Sequence, residues 1–264
     1  MMTVQSVKSR WPRFEADEIE AATEALQTGR VNYWNGTEGR TFEREFADYH
    51  HAAYGIAVSN GTLALELALI ALGVEAGDEV IVTPRSYVAS ASSIALHGAI
   101  PVFADIDRDS GNITPATVEA AITPRTTAIL AAHLGGWPCD LSGLRAFADT
   151  HDLYLIEDCA QAHGAQWQGQ PVGSYGDAAA FSFCTDKIMS TGGEGGMLLL
   201  RDESTWRRAW SYKDHGKDWD AVYNTEHPPG FRWLHQGMGS NWRLTEMQSA
   251  IGRHQLKKLP DWLE

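Results

Sequence analysis

The pattern that most restricts how this chain can fold lies in its middle, where short apolar runs alternate with stretches of helical period. Val80-Ile81-Val82, Pro101-Val102-Phe103, Ala128-Ile129-Leu130 and Leu153-Tyr154-Leu155-Ile156 are runs of strand length. Residues 178–183 (AAAFSF) and 197–200 (MLLL) extend the series through glycine-rich connections. A strand that is apolar on successive residues is covered on both faces, the situation of a parallel strand flanked by crossover helices. The expected fold class is therefore α/β, a three-layer sandwich with a mostly parallel central sheet.

The flanking segments suit that arrangement. Residues 14–28 carry acidic groups early and apolar ones at helical spacing, with Gly29 at a natural stop. A loop over 30–40 leads to a second amphipathic stretch over 42–50, a short strand at Ile56-Ala57-Val58 and a tight turn at Ser59-Asn60-Gly61-Thr62. Residues 63–72 (LALELALIAL) are apolar almost all round, which predicts a buried helix. Helical period returns over 243–259, and there is no internal repeat.

Composition removes several classes of function. Lys+Arg 21 against Asp+Glu 34 leaves a net charge of −13, unsuited to coating a nucleic acid or an anionic membrane. No stretch approaches the roughly 20 apolar residues of a membrane span. The opening MMTVQSVKSRWPRF lacks an apolar core followed by a cleavage site, so the expected location is the cytoplasm. Cys139, Cys159 and Cys184 are far apart, no CxxC or HExxH occurs, and the adjacent His50 and His51 cannot face one metal from a helix. No metal site is expected.

Three elements carry chemistry. The turn Ser59-Asn60-Gly61-Thr62 stands between strand and helix, where free amides and the helix dipole favour a phosphate. The alternative is that Ser59 or Asn60 simply caps the helix. Glu157 and Asp158 close an apolar strand at the end where parallel sheets bind ligands, and a carboxylate there needs an arginine or a cationic ligand. Lys187 follows the apolar strand over 178–183 and precedes a polar turn, Ser190-Thr191-Gly192-Gly193-Glu194-Gly195-Gly196, read as flexible. It is either a solvated surface charge or a desolvated amine able to form a Schiff base. An anion cradle, an acid and an amine together suggest pyridoxal 5'-phosphate, and Tyr87 could cover its ring face or serve as an ordinary tyrosine at a helix start. Neither a Walker loop nor a proper GxGxxG is present, which points away from ATP and NAD.

Six segments occur in one order: SNGTLALELAL, GDEVIVTPRSYVASASSI, GAIPVFADID, IEDCAQAHGA, GDAAAFSFCTDK with the following GGEGGM, and GSNWRLTEMQSAIG. In that order the chain resembles the DegT/DnrJ/EryC1/StrS family of pyridoxal-phosphate sugar aminotransferases over roughly residues 15–260. The resemblance implies the large domain of fold-type I and a homodimer with shared active sites. It implies transfer of an amino group, usually from glutamate, to a keto group of a nucleotide-linked sugar. By position it makes Lys187 the Schiff-base lysine, Asp158 the partner of the pyridine nitrogen and Gln161 the neighbour of the phenolic oxygen. Gly61, Thr62 and Ser182 become phosphate ligands, Tyr87 the stacking aromatic, and Asn241 a residue that reaches the other subunit's cofactor phosphate. A branch of the family with histidine in place of the lysine removes hydroxyls, and the lysine at 187 favours aminotransfer.

The resemblance also implies a large cofactor-binding domain with an N-terminal helical segment over 1–240, and over 241–264 the start of a truncated small C-terminal domain. The alternatives are a non-catalytic binding or regulatory protein on the same scaffold, a related sugar dehydratase, and a cyclitol aminotransferase. Aromatic residues over 219–233, among them Trp219, Tyr223, Phe231 and Trp233, either stack on a base or sugar or pack within their loop.

Overall fold

The computed structural model describes residues 11–264. In chain order the elements are α1 (Ala16–Thr28), α2 (Glu38–Tyr49), β1 (Tyr54–Val58), α3 (Gly61–Leu72), β2 (Glu79–Val82), α4 (Ala89–Leu96), β3 (Ile100–Phe103), α5 (Pro115–Glu119) and β4 (Thr126–Ala132). They continue as α6 (Leu141–His151), β5 (Tyr154–Asp158), β6 (Gln166–Trp167), β7 (Gln170–Pro171), β8 (Ala178–Ser182), β9 (Gly196–Leu200), α7 (Glu203–Lys213), α8 (Trp219–Tyr223) and α9 (Glu246–Leu263). Each predicted apolar run is a strand of one sheet, ordered β1-β9-β8-β5-β4-β2-β3. From β8 to β3 all neighbours are parallel, while β9 runs antiparallel to both β8 and β1.

Alternate side chains of each strand enter opposite layers, as the pleat requires. In β9, Leu198 and Leu200 face a core built with Leu67 and Leu69 of α3 and Trp210 of α7. Met197 and Leu199 face the other, where Phe42 and Phe46 of α2 meet Phe181 and Leu256 and Leu259 of α9. Farther along the sheet, Ile81, Ile129 and Leu155 pack on Leu144 and Ala148 of α6. Helix α3 is buried on most of its circumference, as its sequence predicts.

Two helices differ from the expected limits by three residues or more. Helix α2 begins four residues early because Glu246, at the start of α9, accepts the amides of Glu38 (2.6 Å) and Gly39 (3.1 Å) and so supplies an N-terminal cap from far along the chain. Helix α9 begins at Glu246 behind a Thr245–Gln248 capping box and continues through Pro260 to Leu263. It lies against α1 and α2, joined to them by Lys258–Asp17, Arg253–Glu38 and Arg253–Glu45 pairs.

Candidate active site

Strand direction brings the chemistry to one edge. Val58 of β1 pairs with Gly196, which pairs in turn with Ser182 of β8, and Asp158 of β5 lies opposite Ala180. The carboxyl ends of β1, β8, β5 and β4 therefore open onto the same rim, where ligands of parallel sheets bind. A cavity of about 570 Å³ occupies that rim. Gly61, Thr62, Tyr87, Asp158, Gln161, Ser182 and Lys187 all line it. Asn241 does not.

The turn after β1 delivers the start of α3 to the cavity wall. Asn60 accepts the Leu63 amide on its side chain (2.9 Å) and the Ala64 amide on its carbonyl (3.2 Å), so it caps the helix. The amides of Gly61 and Thr62 precede the first intrahelical bond and have no acceptor within α3. Capping and anion binding thus use different amides of one turn, and the two readings of this segment are compatible.

Asp158 is buried at the end of β5, 7% exposed. Its Oδ1 accepts the Ala160 amide (3.1 Å) and its Oδ2 accepts the hydroxyl of Ser90 (2.6 Å). No lysine or arginine lies within ion-pair distance of it among the described residues, so the arginine partner considered for this acid is not there. Gln161 turns its Oε1 to the Gly135 amide (2.8 Å). Tyr87 lines the cavity and is 70% exposed.

The Lys187 side chain is 15% exposed, and its ammonium lies 2.8 Å from Oδ2 of Asp186, itself 68% exposed. The lysine is thus mostly covered rather than a solvated surface charge, and its ammonium is paired with a carboxylate at the surface. That ammonium holds the Asp186 carboxyl below its usual range. The glycine-rich stretch that follows is held in place rather than loose. Thr191 Oγ1 and Gln248 Nε2 both donate to the Glu194 carbonyl at 2.7 Å, and Ser190 and Thr191 are buried.

Glu157, the neighbour of Asp158, has another occupation. Its four acceptor positions take the amides of Gly173 (2.8 Å), Tyr175 (2.9 Å) and Gly176 (2.7 Å) and face His133 Nε2 (3.1 Å). The Cys139 amide donates to His133 Nδ1 (3.2 Å). His133, Glu157 and Cys159 have ligand atoms close enough for a metal, but the carboxylate and both ring nitrogens are already engaged, and burial pushes the Cys159 thiol up to about 12. The cluster is a structural brace beside the cavity, which His133 lines. Of the aromatic loop, Trp219 and Tyr223 pack on Trp206 and Trp210, with Trp219 centroids 4.7 and 4.9 Å from the two indoles. Phe231 and Trp233 contact each other at the surface.

Sequence reasoning missed Ser86, Ser90, His133 and Glu194. Ser86, His133 and Glu194 line the cavity, while Ser90 lies behind it against Asp158. Only the fold brings the two serines near the acid. The donor set fits a ligand with a dianion, an electrophilic carbon and a ring nitrogen, the three features of pyridoxal phosphate: two helix-terminal amides with the hydroxyls of Thr62 and Ser182, an amine, and a buried carboxylate.

The profile of the DegT/DnrJ/EryC1/StrS aminotransferase family matches residues 12–264. Among solved structures, the aminotransferase from Psychrobacter cryohalolentis has a TM-score of 0.94 and 56% identity, covering 96% of this chain and 64% of that one. GDP-perosamine synthase of Escherichia coli O157:H7 is 37% identical over 252 residues, which is 96% of this chain and 66% of that protein. The L-glutamine:2-deoxy-scyllo-inosose aminotransferase of Streptomyces kanamyceticus is 42% identical over 258 residues, 94% of this chain and 59% of that protein. The chain spans about two thirds or less of the length of these relatives. No helix among the described residues is long and apolar enough to cross a membrane.

Proposed function

Because this chain belongs to the DegT/DnrJ/EryC1/StrS aminotransferase family, we propose that it acts in a pyridoxal-phosphate-dependent transfer of an amino group from glutamate to a keto group of a nucleotide-linked sugar. The observation that carries this reading is the meeting of Lys187, Asp158 and the Gly61–Thr62 corner in one cavity. When bound, pyridoxal phosphate supplies an electron sink for a carbanion. Gly61, Thr62 and Ser182 would hold its phosphate, Asp158 would face its ring nitrogen, Gln161 its phenolic oxygen, Tyr87 its ring face, and Lys187 its aldehyde.

The chain's own part is to orient groups and move protons. Lys187 takes the proton from the donor's Cα and later returns one to the acceptor carbon, serving as base and then acid at one nitrogen. Its cover of protein limits competing water, and the exposed Asp186 can release Nζ without stranding a buried charge. Asp158, fixed by two donors, would face the ring nitrogen and stabilise positive charge there. Donor and acceptor use the same cavity in turn, which gives ping-pong kinetics. Asn241 lies outside its own cavity, on a segment joined to α7, and we assign it to the cofactor phosphate of a second copy in a homodimer. A keto cyclitol is the second acceptor reading, favoured by the 42% identity to the enzyme named for 2-deoxy-scyllo-inosose.

The test is spectroscopic. Protein loaded with pyridoxal phosphate should show a visible band that Lys187→Ala removes while far-UV circular dichroism is unchanged, and glutamate should bleach the band. A panel of nucleotide-linked keto sugars and keto cyclitols then restores it with the true acceptor. A band that survives in Lys187→Ala would overturn the assignment.

A further inference from the structure

Ser90 occupies an unusual place for a serine. It lies in the first turn of α4, is fully buried, and gives its hydroxyl to Oδ2 of Asp158 at 2.6 Å. A second hydroxyl, that of Ser86 at the cavity wall, stands 2.7 Å from Ser90 Oγ. Either oxygen of that pair could donate in isolation. The Ser90 proton is committed to Asp158, so Ser90 Oγ is left to accept and Ser86 must be the donor to it. The chain of hydroxyls therefore has one direction, from the cavity wall through Ser90 to the acid. Through its backbone the same residue reaches the loop that carries Tyr87, its amide donating to the Tyr87 carbonyl (3.1 Å).

We propose that Ser90 is a positioning residue that fixes the Asp158 carboxylate against the ring nitrogen of the cofactor and ties the Tyr87 loop to that acid. The proposal rests on the aminotransferase reading of the site. Asp158 has no cationic side chain beside it among the described residues, and a buried carboxyl group so placed needs hydrogen-bond donors to replace its lost hydration. The backbone supplies one donor, from Ala160. Ser90 supplies the other, and with it sets the rotation of the carboxylate and leaves the remaining lone pairs to the cavity. Hydrogen bonds to an ionised oxygen are the strong kind, so the loss of this one weakens whatever the acid holds.

The test separates action through the ring nitrogen from a general effect of a buried serine. Binding of pyridoxal phosphate and of its 1-deaza analogue, which has carbon in place of the ring nitrogen, is measured for the full chain and for Ser90→Ala, Ser90→Thr and Ser93→Ala. Ser93 is an equally buried serine of α4 whose hydroxyl turns to the Ser90 carbonyl instead (3.3 Å). Ser90→Ala should lose roughly tenfold in affinity for pyridoxal phosphate and under about twofold for the analogue, as expected for one charge-assisted hydrogen bond. Ser90→Thr should keep the parent's discrimination, and Ser93→Ala should match the parent. Equal losses for both ligands in Ser90→Ala, or no loss for either, overturns the proposal. A parent protein that binds neither ligand overturns the aminotransferase reading itself, and this proposal with it.

Discussion

Gly61 and Ser182 approach so closely that a Cβ on residue 61 would lie 2.7 Å from the Ser182 Cβ and 3.1 Å from its Cα. The start of α3 and the end of β8, two walls of the cavity, are therefore in backbone contact, and only glycine permits it. Gly61→Ala forces them apart. It should destabilise the fold by about 1–3 kcal/mol, the usual cost of an added methyl in a packed site. It should also weaken cofactor binding, because the Gly61 and Thr62 amides move with the helix. Urea unfolding of the apoprotein and a pyridoxal phosphate titration check the two effects. Unchanged affinity in a destabilised variant would dissociate this turn from the ligand.

Asp214 anchors the segment that displays Asn241. Buried, it accepts from Arg243 Nη1 (2.6 Å), Lys217 Nζ (2.8 Å) and Trp34 Nε1 (2.7 Å). Nearby, the Ser240 amide donates to the Tyr212 carbonyl (2.7 Å) and the Trp242 amide to the Lys213 carbonyl (3.1 Å). Asp214→Ala strands two cations that are mostly covered, a cost on the order of 3–5 kcal/mol. Hydrogen exchange should accelerate first at Ser240 and Trp242. If those amides keep their protection while overall stability falls, Asp214 braces α7 alone.

Which parts of this were legible in the sequence follows from where the determining interaction lies. The strands were readable because burial on both faces writes a continuous apolar run, as in Val80-Ile81-Val82, and α3 was readable for the same reason. The antiparallel direction of β9 was not, since an apolar run such as Leu198-Leu199-Leu200 reads the same both ways. The β6–β7 hairpin escaped because Gln168 (φ 50°) with Gly169 (φ 79°) makes its turn, where asparagine or aspartate would have marked it. The start of α2 depended on Glu246, over 200 positions away. That Lys187, Asp158 and Gly61 would meet was legible because each ends or follows an apolar strand, on the edge where parallel sheets bind ligands. Ser90 carries none until α4 turns it toward Asp158.

Lys213 has no exposed surface, and its ammonium lies 3.3 Å from Oε1 of Glu43 and 3.9 Å from the centre of the Tyr33 ring. Glu43 also accepts the Ala57 amide (3.0 Å) and the Tyr33 hydroxyl (3.0 Å). Removing one charge leaves the other uncompensated, so Lys213→Met should cost about 3–5 kcal/mol, whereas Lys213→Met combined with Glu43→Gln should recover much of it. Denaturant unfolding of the two single variants and the double variant measures the coupling. Additive losses would show that each group is held independently.

His50 gives the fold a defined weakness to acid. It is 1% exposed, wedged between Phe46 and Phe181 with ring centroids 4.5 Å from each, and neither ring nitrogen has a hydrogen-bond partner among the described residues. Burial pushes its pKa down to about 3, and burial likewise brings that of His163 to about 4. Unfolded histidine titrates near 6.5, so as pH falls below that value the unfolded chain takes up protons that the folded chain refuses. The stabilisation is complete above about pH 6.5 and is lost progressively toward the folded values, by about 2 kcal/mol per histidine at pH 5. His50→Leu removes one of the two groups. Relative to the parent it should gain about 2 kcal/mol on going from pH 7.5 to pH 5, read as a flatter acid limb in urea midpoints. Parallel midpoint curves for parent and variant across that range would mean that His50 is already protonated in the folded state.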